Sequence, residues 1–120
     1  MSMLLYHGTT KEFHDQDIEK LGRFQGNYGI YLDERILTPL GYANARASEF
    51  GASPLVLIVD FSRISSRVID LNGMWKIDYL VPEDYLALDV PNIMENDDAT
   101  EFFDLLARRT KERFNLEFHL

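Results

Sequence analysis

The sequence predicts one α+β domain, and three observations carry that prediction. A chain of 120 residues is long enough for one hydrophobic core and too short for two. Its most apolar run, Leu55 to Phe61, is short and rich in β-branched residues, which suits a central strand. Two longer segments, Thr38 to Phe50 and Asn96 to Arg113, carry helix signals instead. No internal repeat, low-complexity run or Gly/Ser linker divides the chain.

Each element has its own local reason. Leu4-Leu5-Tyr6 reads as a first strand, and His7-Gly8-Thr9-Thr10 reads as a turn, so a loop is expected from His7. Ile18 and Leu21 lie three apart with Gly22 in the C-cap position, which predicts a short helix over Asp15 to Leu21. Gly22 to Tyr28 is a polar loop, and Gly29-Ile30-Tyr31-Leu32 is β-prone. Thr38-Pro39 marks a helix start, because threonine can cap free N–H groups and proline at N1 loses no hydrogen bond. That helix should run to about Phe50, end at Gly51, and bury Leu40, Ala43, Ala47 and Phe50 as one stripe. Shorter strands are expected at Arg67 to Leu71 and Ile77 to Val81. The last helix has Asp97, Asp98, Glu101 and Asp104 at its start and Arg108, Arg109, Lys111 and Arg113 at its end, an order that complements the helix dipole. Phe114, Leu116, Phe118 and Leu120 then alternate with polar residues, which predicts a final strand.

Composition narrows the chemistry. With 46% hydrophobic and 27% charged residues the chain has the apolar content to fold. Cysteine is absent, so disulfides, cysteine nucleophiles and thiolate metal sites are excluded. His14 and His119 show no ligand spacing and are expected at the surface, and no metal is expected. A net charge of −8 repels polyanions, which disfavours DNA or RNA as a partner. The start, from Met1 to His7, has no basic n-region and no long apolar stretch, and no run approaches the ~20 apolar residues that span a bilayer. A cytoplasmic protein without membrane contact is the expectation. Gly26 and Gly29 lack the third glycine and the strand-turn-helix context of a Rossmann dinucleotide turn. Trp75 follows the turn pair Asn72-Gly73 and reads equally as a core anchor or a pocket rim.

Three short motifs occur in order: Leu5-Tyr6-His7-Gly8-Thr9, then Gly29-Ile30-Tyr31-Leu32, then Tyr42-Ala43, with the two tyrosines eleven residues apart. Over residues 4 to 50 this set resembles the histidine–tyrosine–glutamate class of the ADP-ribosyltransferase superfamily, the class of poly(ADP-ribose) polymerases and diphtheria toxin. The resemblance implies an ADP-ribosyltransferase-like fold, a split mixed or antiparallel β-sheet with flanking helices around a cleft. It implies NAD as the substrate, held by His7, Gly8 and Thr9, with nicotinamide clamped between Tyr31 and Tyr42.

Physical sense agrees with those roles. A histidine can hydrogen-bond ribose hydroxyls, a glycine lets backbone approach the carboxamide, and aromatic faces can sandwich a flat ring. The class also uses a late-strand glutamate to stabilise the ribosyl cation, as carboxylates do beside sugars in glycosidases. Glu117, in the expected last strand, is the candidate, with Glu112 and Glu101 as alternatives; Glu117 and Tyr31 are the residues expected to act in catalysis. Pro39 departs from the pattern, standing where the polymerases often have a serine that bonds the carboxamide. The short chain favours transfer of a single group over polymer synthesis. The expected function is therefore NAD-dependent mono-ADP-ribosyl transfer to a protein or small-molecule acceptor. The alternatives are a catalytically degenerate binding module of the same fold, or an enzyme that moves an RNA 2′-phosphate to NAD.

Overall fold

The computed structural model describes residues 3–91 and 96–120; Met1 and Ser2, part of the segment read for a leader, lie outside them. The elements follow the order β1 (Leu4–Thr10), α1 (Lys11–Leu21), β2 (Ile30–Leu32), α2 (Leu37–Phe50), β3 (Pro54–Asp60), α3 (Phe61–Ile64), β4 (Ile69–Asp70), β5 (Trp75–Ile77), β6 (Tyr85–Asp89) and α4 (Asn96–Phe114). The class is α+β as expected. Strand β3 is central: it pairs antiparallel with β1 on one side and β6 on the other. A second antiparallel sheet has the order β2-β5-β4. Among the described residues no helix is long and apolar enough to cross a membrane.

The central sheet is covered on both faces, which explains why Leu55 to Val59 reads as a continuous apolar run rather than an alternating one. On one face Tyr6, Val56, Ile58 and Leu86 pack with Leu40 of α2 and Phe102 and Leu106 of α4. On the other, Leu5, Leu57 and Val59 pack with Ile30 and Leu32 of β2 and Ile77 of β5. Burying each such side chain contributes roughly 1.5–3 kcal/mol, so the sandwich of helices, sheet and second sheet rests mainly on β3 and its neighbours.

Several expectations change. His7 to Thr10 is strand, not loop: these residues continue the ladder against Leu57 to Pro54. Helix α1 begins four residues earlier than expected, because the Thr10 hydroxyl accepts from the Phe13 N–H and starts it at Lys11. Thr38 caps nothing; α2 begins at Leu37 with Ile36 as its N-cap and no side-chain cap bond. The Asp33 carboxylate, which accepts from the Arg35 N–H at 2.8 Å, turns the chain into the helix instead. Gly22 and Gly51 do close α1 and α2, both in the left-handed conformation. Phe50 leaves the buried stripe, since it lies half-exposed against Phe13 of α1, edge to face at 5.7 Å.

Strand β6 was not expected at all. Its residues face both buried layers and show no clean alternation, so no strand period marks it. The expected final strand is absent: residues 115–120 form no ladder. Asn115 takes a positive φ of 56° and turns the chain out of α4. Phe114, Leu116 and Phe118 then pack on the core as side chains alone, with Phe118 edge-on to Tyr6 at 6.2 Å and stacked on Phe103 at 5.9 Å. The alternation was real but reported packing, not a sheet. The basic end of α4 makes contacts that the dipole argument did not anticipate: Lys111 pairs with Glu117, and Arg113 donates to the Pro82 carbonyl at 2.8 Å.

One close approach governs how the layers meet. A Cβ on Gly8 would collide with the Pro39 carbonyl, 2.9 Å from its carbon, and would stand 3.0 Å from the Ala43 nitrogen. Both are backbone of α2, which cannot yield locally. Gly8→Ala should therefore cost about 1–3 kcal/mol of stability. Gly41→Ala in the same helix meets open space and should gain roughly 0.5–1 kcal/mol. Urea denaturation of the two variants checks both signs.

Candidate functional site

The two sheets touch and then part, and the parting makes a cavity. Tyr6 and Asp33 exchange backbone hydrogen bonds of 2.9 and 3.0 Å, which join β1 to the end of β2. Continued by two residues in this antiparallel register, the next such pair would be Gly8 with Tyr31. It does not form. The His7 imidazole occupies the gap and bonds the Tyr31 carbonyl through Nδ1 at 2.8 Å. The ladder parity that sends Tyr6 toward Asp33 also turns the Gly8 N–H and C=O away from β3. They lie on the cavity side of β1, where no strand of the described residues pairs with Gly8.

The cavity beside this edge has a volume of about 760 Å³, within the size range of small-molecule sites. His7, Gly8, Thr9, Tyr31 and Tyr42 all line it, so β1, β2 and α2 bring together five of the six residues singled out in the sequence. Tyr31 and Tyr42 are 46% and 52% exposed, too open for core tyrosines and suited to meeting a ligand ring. Phe24 closes the floor between two imidazoles, with ring centroids 5.5 Å from His7 and 5.7 Å from His14. Pro39 also lines the cavity, but its carbonyl packs against Gly8.

The protonation state of His7 follows from its partner. A carbonyl only accepts, so Nδ1 carries the proton. Burial beside Phe24 pushes the imidazole down to about 4, partly offset by the Tyr31 hydrogen bond. The ring is thus neutral near pH 7, and Nε2 keeps a lone pair able to accept from a hydroxyl.

Glu117 stands elsewhere. It is not on the cavity wall, nor are Glu112 and Glu101. Its carboxylate accepts from Lys111 Nζ at 2.9 Å, the side chain is 65% exposed, and this hydrogen bond holds its carboxyl below the usual range. The acids on the wall are Asp17 and Asp33. Asp17 Oδ2 accepts from the Gln25 and Gly26 N–H groups at 2.9 and 2.8 Å and anchors the 22–28 loop. Asp33 Oδ1 is held by the Arg35 N–H.

Sequence reasoning also missed Phe13, Phe24, Arg46 and Met74 on the wall. An aromatic isolated in the polar Gly22 to Tyr28 loop was the available signal for Phe24. Phe13 lies ahead of the helix start that the sequence predicts, although α1 in fact includes it. Trp75 proves a core anchor: it packs on Phe61 at a centroid distance of 5.0 Å. His14 is not a surface residue, its side chain being 12% exposed. Its Nδ1 donates to the Asp15 carboxylate at 2.9 Å, and its Nε2 shares a hydrogen bond with the Tyr85 hydroxyl at 2.7 Å. Burial pushes that phenol up to about 12. No metal-binding cluster of His, Asp or Glu occurs among the described residues.

Compared with known proteins, the chain matches no family model, and no curated protein sequence matches it.

The state of His7 is measurable. An unfolded imidazole takes its proton near 6.5 and the folded one only near 4. Its contribution to stability is therefore complete above pH 6.5 and is lost as pH falls toward 4. NMR of the His7 ring should give a midpoint near 4, whereas a midpoint at or above 6 would contradict the buried, neutral ring.

Proposed function

We propose that the cavity binds NAD by its nicotinamide end and that the domain is an NAD-dependent mono-ADP-ribosyltransferase acting on a protein or small-molecule acceptor. The observation that carries this reading is the parting of the sheets at Gly8 and Tyr31. It leaves one backbone donor and one backbone acceptor at a strand edge, which is the complement of a carboxamide. Tyr31 and Tyr42 supply flat faces for the ring, each worth about 0.5–1.5 kcal/mol beyond its buried area. Neutral His7 supplies an acceptor for a ribose hydroxyl. In the reaction the bond from ribose C1′ to nicotinamide breaks, the pair of electrons leaves with nicotinamide, and an acceptor atom forms the new bond to C1′ while losing its proton.

One observation favours a second reading, a module that binds NAD without turnover. Glu117 is tied to Lys111 away from the wall, and Asp17 and Asp33 on the wall are engaged with backbone N–H groups. The RNA phosphotransferase alternative gains nothing, because a net charge of −8 opposes a polyanion.

Calorimetric titration with NAD and with nicotinamide tests the binding half without knowledge of the acceptor. Tyr31→Ala should weaken NAD by about tenfold, the scale of one lost stack, with the fold retained, and His7→Ala, which also removes the bond to the Tyr31 carbonyl, should weaken it at least as much. Glu117→Gln should leave NAD affinity unchanged. No binding by the native protein at about millimolar NAD would sink the proposal. Consumption of NAD over time separates the two readings: turnover that survives Glu117→Gln moves the carboxylate role to another acid, and no turnover in any condition leaves the binding module.

A further inference from the structure

The cavity reaches well beyond the space between Gly8, Tyr31 and Tyr42. Its wall also includes Phe13 of α1 and Arg46 of α2. Arg46 lies four residues beyond Tyr42, on the same helix face. Among the described residues on the wall it is the one fixed cation, since His7 is neutral and Asp17 and Asp33 are acids.

Its surroundings keep it available. The guanidinium lies 4.7 Å from the Phe50 ring centroid, 5.8 Å from Tyr42 and 5.9 Å from Phe13. Aromatic neighbours attract the cation and hold the side chain in place, but they take none of its five N–H donors in a strong hydrogen bond. The one ion pair it makes among the described residues, with Glu49 of its own helix at 3.7 Å, joins two partly exposed groups and contributes little. An arginine held among rings, with no hydrogen bond to another of the described residues, on the wall of a cavity in an acidic protein has a defined use: it offsets a field that would otherwise repel an anionic ligand.

We infer that Arg46 holds the diphosphate of a dinucleotide whose nicotinamide end lies against Gly8 and Tyr31, and that the far nucleoside then leaves the cavity past Phe13. The inference rests on the NAD reading for the placement of nicotinamide, but the anion site can be measured independently of it. The guanidinium fork matches two phosphate oxygens at once, and such charge-assisted bonds are stronger than neutral ones.

The test titrates three ligands, NAD, ADP-ribose and nicotinamide, into the native protein, Arg46→Gln, Arg46→Lys and Arg108→Gln. The last removes the same charge from α4, outside the cavity. Arg46→Gln should weaken NAD and ADP-ribose by about tenfold or more, flatten the dependence of their affinity on salt, and leave nicotinamide unchanged. Arg46→Lys, which keeps the charge and loses the fork, should fall between, and Arg108→Gln should match the native protein. If Arg46→Gln binds NAD and ADP-ribose as the native protein does while Tyr31→Ala weakens NAD and nicotinamide, the diphosphate assignment is overturned and the nicotinamide site stands. If ADP-ribose binds through Arg46 but nicotinamide does not bind, the nicotinamide placement fails and the anion site stands. Binding of none of the three ligands overturns both.

Discussion

The hydrogen bond from His7 Nδ1 to the Tyr31 carbonyl is the constraint on which the site depends. Such a hydrogen bond contributes only about 0.5–1.5 kcal/mol net, but its position decides which groups the two strands can pair. By taking the acceptor that Gly8 would otherwise use, His7 stabilises two sheets that part instead of one that continues. The Tyr6–Asp33 bridge fixes where the parting starts. The cavity is therefore not a space between loosely packed pieces. It is an interruption of a ladder, held open by a side chain that satisfies what the ladder gave up.

Helix packing completes the arrangement. Gly8 lets α2 settle on β1 with backbone against side-chain-free backbone, and this brings Tyr42 and Arg46 to the cavity. Helix α1 closes the other side. Its Asp17 holds the 22–28 loop by two backbone N–H groups, and its His14 reaches Tyr85 on β6. Polar groups near the site thus divide between those that hold the frame and those left open to a ligand. Asp17, His14 and Tyr85 belong to the frame, whereas Gly8, the Nε2 of His7 and Arg46 remain open.

Much of this was readable in the chain, and the failures have identifiable causes. Residues whose role is local, such as Gly22 and Gly51 as helix stops, are written in a few neighbouring letters and were placed correctly. His7, Gly8, Thr9, Tyr31 and Tyr42 share one cavity wall, a long-range grouping that the resemblance implies and that no local pattern contains. Thr10 was misread because a threonine pair looks like a turn, although here it ends a strand and caps a helix with the same residue. Strand β6 and the 115–120 segment show opposite errors: a strand buried on both faces has no period to detect, and an alternating tail can pack without any ladder. Glu117 belongs to an expected strand that does not form, and its carboxylate pairs with Lys111 instead of facing the cavity.

The unpaired edge at Gly8 also has a bearing on chemical discrimination. A strand edge that offers one N–H and one C=O side by side reads polarity as well as shape. An amide meets it with an acceptor and a donor in the matching order, whereas a carboxylate of nearly the same outline would set a negative oxygen against the glycine carbonyl and leave it without a proton to share. Backbone is well suited to such a distinction, because neither group titrates and neither can rotate away from its strand.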